Sequence, residues 1–158
     1  MLTSSQANQR NTNVTSSVQI RTAVADDKKR CLELLYMLNE SNTGEGISKV
    51  FEQLLDQSRG TVWVAEEAGV LLGMASVSYN LAMRYEGEYC QLEELIVDPA
   101  ARGKNVGGLL VQHSIDQARA RGCAEYGLYL VKTTEQNRPF YEKYGLEVIG
   151  TEMRLALA

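Results

Sequence analysis

The chain has little of what several enzyme classes need. One histidine, His113, stands among 158 residues, so a multi-histidine metal site cannot be assembled and a nucleophile triad would have a single base to draw on. Three cysteines, Cys31, Cys90 and Cys123, make an odd count without C-x-x-C spacing. They point to neither a disulfide framework nor a thiolate zinc site, and a reducing, cytoplasmic setting is the simplest expectation. Two prolines and 13 glycines keep the composition outside the collagenous and low-complexity ranges. No apolar run approaches the ~20 residues that cross a bilayer, and the first residues lack the basic-then-apolar layout of a secretory signal. Sixteen basic against twenty acidic side chains give a net charge of -4. That sign disfavours a polyanion, so neither nucleic acid nor an anionic membrane is an expected partner.

What is present suits one globular domain: 44% hydrophobic and 23% charged residues, with length for a single core. Residues 1–17 hold no acid and mostly Ser, Thr, Asn and Gln, which predicts a flexible arm before a domain over 18–158. Alternation of Val18, Ile20 and Thr22 predicts a first strand. Asp26 or Asp27 then caps a helix with Cys31, Leu34, Leu35 and Leu38 at helical spacing. A second helix follows over 47–55, then strands over 61–65 and 70–79 around a tight turn, with Gly73 expected at a bulge or close approach. A polar loop is expected over 80–88, either a solvated hairpin tip or the lining of a pocket for a cationic amine. A strand over 89–97 is stopped by Asp98-Pro99. Helix over 106–120, extended chain over 126–131, helix over 139–144 and extended chain over 148–157 complete the pattern. Strands and helices alternate only in part, which predicts an α+β fold with a mixed, largely antiparallel sheet flanked by helices.

The most informative segment is the strand-turn-helix from Leu95 to Leu110, with Arg102-Gly-Lys-Asn105-Val-Gly107-Gly108 at its centre. Free amides at a helix start, the helix dipole and glycines that admit close approach make such a turn suited to a phosphate, and Arg102 and Lys104 add full charges. A glycine-rich connector is the plain alternative. Lys104 is followed by Asn105 rather than Ser or Thr, so this is no P-loop, and the spacing of Gly103 and Gly107 fails the dinucleotide fingerprint.

The segment resembles the acyl-CoA diphosphate turn of the GNAT superfamily of N-acetyltransferases, Arg/Gln-x-x-Gly-x-Gly/Ala after a strand. Asn105 replaces its first glycine, and asparagine tolerates a positive φ. Asn137-Arg-Pro-Phe-Tyr141-Glu-Lys-Tyr-Gly145-Leu146 is similar to the family's late Asn…Phe-Tyr…Gly block, with a compressed spacing. Ile20-Arg-Thr-Ala and the Trp63-Val-Ala…Gly73 hairpin extend the resemblance over most of 18–157.

It implies a twisted sheet whose fourth and fifth strands part to hold a pantetheine arm, and transfer of acetyl from acetyl-CoA to a primary amine by direct attack in a ternary complex. A sensor that keeps the acyl-CoA cradle without catalysis is the alternative. The implied partner is a small-molecule amine, with a homodimer allowed. Implied cofactor contacts are Leu95, Ile96 and Val97 on the strand, Arg102, Gly103, Lys104, Asn105, Val106, Gly107 and Gly108 in the turn, and Asn137 and Tyr141 later. Glu93 is the preferred base and Glu94 its reserve; on strict alternation Glu93 shares a face with Leu95 and Val97, and Glu94 with Leu92 and Ile96. Tyr141 is the implied acid, or else a core aromatic beside Phe140, and Asn137 bonds the pantetheine or caps a helix. No metal is implied. His113 is expected at the surface, Cys31 and Cys123 as buried small hydrophobes.

Overall fold

A computed structural model describes residues 17–40 and 44–157; the arm expected over 1–17 lies outside them except for Ser17. Chain order runs β1 (Gln19–Thr22), α1 (Lys28–Leu38), α2 (Glu45–Leu54), β2 (Gly60–Glu67), β3 (Val70–Ala82), β4 (Gly87–Val97), α3 (Val106–Arg121), β5 (Tyr126–Leu128) and α4 (Arg138–Glu142). The strands lie side by side in sequence order. β1 to β4 pair antiparallel, while β4 and β5 run parallel because α3 carries the chain back over the sheet. This is the mixed, largely antiparallel α+β architecture that the pattern predicts.

Two apolar clusters sandwich the sheet. Val62, Val64, Met74 and Ile96 face Cys31, Leu34 and Phe51 from the α1–α2 side, whereas Trp63, Ala65, Ala75 and Val77 face Val106, Leu110 and Val111 of α3. Period-2 alternation along β2 and β3 serves both faces, which is why both strands read as continuous apolar runs. Gly73 meets its expectation. It lies beside a register shift, and a Cβ there would stand 2.7 Å from the Ile96 carbonyl oxygen and 3.1 Å from Val106 Cγ1.

Several boundaries differ from the sequence pattern. The loop expected over 80–88 is mostly ladder: β3 runs to Ala82 and β4 starts at Gly87, joined by a single 3-10 turn over Met83–Tyr85. Leu81 and Met83 stand exposed there, so the segment is a hairpin tip. The extended stretch expected over 126–131 is shorter, with strand at Tyr126–Leu128 only, and residues 148–157, also expected to be extended, join no ladder among the described residues. His113 is half-buried rather than wholly at the surface: its ring meets Trp63 edge-on at 4.8 Å, because α3 lays that face on β2, and burial holds its pKa below the usual imidazole value. Cys31 is buried as expected, but Cys123 is only half-buried because it follows the end of α3.

Candidate active site

The β4–α3 junction is organised by backbone conformation. Asp98 ends β4, its carboxylate accepting from the Ala100 amide at 2.9 Å and pairing with Arg30 of α1. Pro99 then opens a short 3-10 turn. Gly103 has φ +85 and Asn105 adopts the left-handed conformation, φ 55 and ψ 30, as the residue that starts α3. Asparagine is among the few side chains that accept this geometry, which is how the turn keeps its shape without glycine. The Asn105 side chain makes no capping bond, and α3 has no acidic residue in its first turn. Its leading amides are therefore left to solvent or to a ligand of negative charge.

Tight packing supports those amides from behind. A Cβ on Gly108 would lie 2.2 Å from Tyr144 Oη and 2.3 Å from Asn105 Oδ1, and one on Gly107 would touch Phe140 and Val97. The late aromatic block thus rests on the glycines of the turn. Arg102 and Lys104 are exposed at its rim, and Lys104 is ion-paired with Glu67 of β2.

On the other side of the junction β4 outruns its neighbour. β5 pairs with β4 only at Cys90, Gln91 and Leu92, while β4 continues to Val97. Residues 93–97 therefore present one strand edge that β5 does not cover, and it leads straight into the turn. A bulge marks the parting: Ser76 pairs with Glu94 and Val77 with Leu92, which leaves Glu93 as the extra residue.

The bulge also corrects the expected facing of the two glutamates. Leu92 packs on the α3 side and Ile96 on the α1–α2 side, although strict alternation would put them together. One inserted residue reverses the parity. Glu94 follows Ile96 and Met74 to the α1–α2 face, where its carboxylate accepts from Ser76 Oγ. Burial pushes its pKa up, opposed by the Ser76 hydroxyl and reinforced by the charge of Glu93. Glu93 is exposed instead, accepting from Ser78 Oγ at 2.5 Å.

Tyr141 projects from α4 into the α3-side cluster and meets Phe140 edge-on at 5.0 Å. Burial raises its phenol pKa, so it is protonated at neutral pH. Asn137 precedes α4, yet its side chain makes no capping bond and is exposed. Cys90 is fully buried. Among the described residues no group of three or more His, Cys, Asp or Glu is arranged to hold a metal ion, and no helix is long and apolar enough to cross a membrane.

A strand that parts from its neighbour above a glycine-supported helix start matches what the sequence motifs imply. Residues 28–146 match the model of the acetyltransferase (GNAT) family. The chain belongs to the GNAT family of acetyltransferases. This GNAT chain is 27% identical over 146 residues to glucosamine 6-phosphate N-acetyltransferase of Trypanosoma brucei brucei, a match covering 89% of the chain and 96% of that protein. It is 31% identical over 138 residues to glucosamine 6-phosphate N-acetyltransferase 1 of Oryza sativa subsp. japonica, covering 84% and 82% respectively. Its fold superposes with a TM-score of 0.72 on a predicted acetyltransferase from Clostridium acetobutylicum solved with acetyl-CoA, at 18% identity and covering 89% of this chain and 96% of that one.

Three features around this candidate site were not legible in the motifs. Ser76 partners Glu94 only through the bulged register. Tyr144 closes over Gly108 across a turn of α4 and the chain beyond it. Arg154, far along the chain, is paired with Glu152 and stands 5.1 Å from the Tyr129 ring. Only the glycine at position 108 carried any signal of this in the sequence.

Proposed function

We propose that the protein transfers an acetyl group from acetyl-CoA to the primary amine of a small molecule by direct attack in a ternary complex. The observation that carries the reading is the uncovered β4 edge at residues 93–97 running into an uncapped helix start. Acetyl-CoA, when bound, supplies a thioester carbonyl. The amides of Gly103, Lys104, Asn105, Val106, Gly107 and Gly108 would hold its diphosphate, with Arg102 and Lys104 adding charge. Main-chain groups of Leu95, Ile96 and Val97 would bind the pantetheine, and the Leu95 amide would meet the oxygen on which negative charge develops. Loss of such a donor typically raises the barrier by about 3 kcal/mol.

An alkylammonium is overwhelmingly protonated at neutral pH and must lose a proton before it attacks. Glu94 suits that role better than Glu93, since burial raises its proton affinity while Ser76 keeps it oriented. Glu93, exposed at the bulge, is the relay to solvent. Tyr141 gives its proton to the departing sulfur, whose thiol has a pKa of about 8.5 by analogy with cysteine. Asn137, whose side chain makes no capping bond, would bond the pantetheine. Glucosamine 6-phosphate, the acceptor in the names of two relatives, is the first amine to test.

The test is a thiol-release assay over a panel of amines, run beside calorimetric titration with acetyl-CoA. Binding together with amine-dependent release supports the reading. Tight binding without release for any amine or peptide would favour the sensor, and absence of binding would remove both.

A further inference from the structure

The hairpin that joins β2 to β3 brings a carboxylate to the turn at 102–108. Glu67 and Val70 pair across the two-residue connection Ala68-Gly69, and both central residues have positive φ, 50 and 77, the hairpin geometry that matches the twist of the flanking strands. Alanine is uncommon in that conformation, and a residue strained in this way persists where its surroundings fix the backbone. The contacts of Glu67 supply such surroundings. One carboxylate oxygen accepts from Ser17 Oγ, ahead of β1, and the other from Lys104 Nζ in the turn. Glu66, one residue back, is taken up by Arg21 of β1 instead.

This contact sets two demands against each other. Lys104 is one of two cations in a turn suited to an anion, yet its ammonium is partnered by Glu67, whereas Arg102 has no carboxylate partner among the described residues. The hydrogen bonds from Lys104 and Ser17 hold the Glu67 carboxyl below the ordinary carboxylate range, so it is ionised at neutral pH. A carboxylate at this rim works against an incoming diphosphate twice, by neutralising Lys104 and by its own charge. The pair is also free to part. The side chains of Lys104 and Glu67 are 45% and 23% exposed, and ion pairs open to water are weakly held.

Resting on the reading that this turn holds the diphosphate of acetyl-CoA, we propose that Glu67 is a positioning residue for the cofactor: it holds the Lys104 ammonium at the rim of the turn, and acetyl-CoA on binding draws that ammonium from Glu67 onto its diphosphate. Glu67 thereby keeps the affinity for acetyl-CoA, and for the CoA product, below what the turn alone would give. It also offers Lys104 a partner to return to when CoA leaves.

E67Q keeps the shape of the side chain and removes its charge. In titration calorimetry at low salt, E67Q should bind acetyl-CoA and CoA roughly three- to fivefold more tightly than the parent chain, the size expected of an exposed ion pair. In a K104M background the same substitution should gain less than about twofold, because the ammonium it would release is gone. Both gains should shrink at about 0.5 M salt. Carbon-13 NMR of the Glu67 carboxyl, assigned by its loss in E67Q, reads the partner exchange directly: it should titrate at lower pH in the parent than in K104M, and saturating acetyl-CoA should move the parent's titration upward. A tie that only braces the hairpin against the turn predicts the reverse, weaker binding in E67Q. Equal or weaker binding by E67Q, an equal gain with and without Lys104, or a Glu67 signal indifferent to acetyl-CoA would each overturn the proposal while leaving the diphosphate reading in place. A parent chain that binds no acetyl-CoA would remove both.

Discussion

Replacing Gly73 by alanine tests whether the turn proposed to hold acetyl-CoA owes its shape to the packing behind it. The new Cβ would sit 2.7 Å from the Ile96 carbonyl oxygen, 3.1 Å from Val106 Cγ1 and 3.3 Å from Val97 Cα. Two of those three neighbours are backbone, so side-chain rotation cannot relieve the clash and β4 or the start of α3 must move. Overpacking of this kind costs about 1–3 kcal/mol, and the upper part of that range applies where backbone must yield. At about 2–4 °C per kcal/mol for a domain of this size, the melting temperature should fall by roughly 4–10 °C. Gly60→Ala is the matched control: its Cβ would lie 2.3 Å from the Val77 carbonyl oxygen and 2.7 Å from Leu54 Cδ2, at the start of β2 and away from the turn. Both variants should melt early, but only Gly73→Ala should weaken acetyl-CoA binding, by about tenfold if some 1.4 kcal/mol of the displacement reaches the turn. Scanning calorimetry and titration calorimetry read the two effects. Equal acetyl-CoA affinity in the two variants, or an unchanged melting temperature in Gly73→Ala, would refute the argument.

Glu94→Gln should lower turnover by about 10²–10⁴-fold while stabilising the fold at pH 7–8. The stabilisation follows from proton linkage: burial raises the folded pKa of Glu94, so its favourable contribution is complete below the unfolded value near 4.3 and is lost as pH rises through the folded one. Glutamine keeps an uncharged group there at every pH, and melting curves of the two proteins should converge near pH 4; a variant less stable than the parent at pH 8 contradicts this. Tyr141→Phe should depress turnover with little change in acetyl-CoA affinity, since its ring packing is kept; an unaltered rate measured by thiol release removes Tyr141 as acid. Asn105→Ala should destabilise by about 1–2 kcal/mol through its left-handed backbone, whereas Asn105→Gly should not, as chemical denaturation will show.

Much of the fold was open to local reading because its signals are local. The helical recurrence of Cys31 and Leu34, the run over β2 and the Asp98-Pro99 stop each report a short stretch of chain, and each element stands where expected. The turn at 102–108 was legible for the same reason, since asparagine and glycine betray backbone conformation one residue at a time. The exceptions share a cause. A hairpin reads as a loop when its strands are polar at the tip, as over 80–88, and His113 reads as exposed when a helix's orientation is unknown.

Local pattern alone laid down the order of elements, the anion-suited turn and the pair of glutamates before it, because propensity, capping and alternation act over a few bonds. Tertiary structure decided which glutamate is buried. One bulge opposite Ser76 and Val77 reverses strand parity, and a bulge is set by how two strands pair, not by either strand alone.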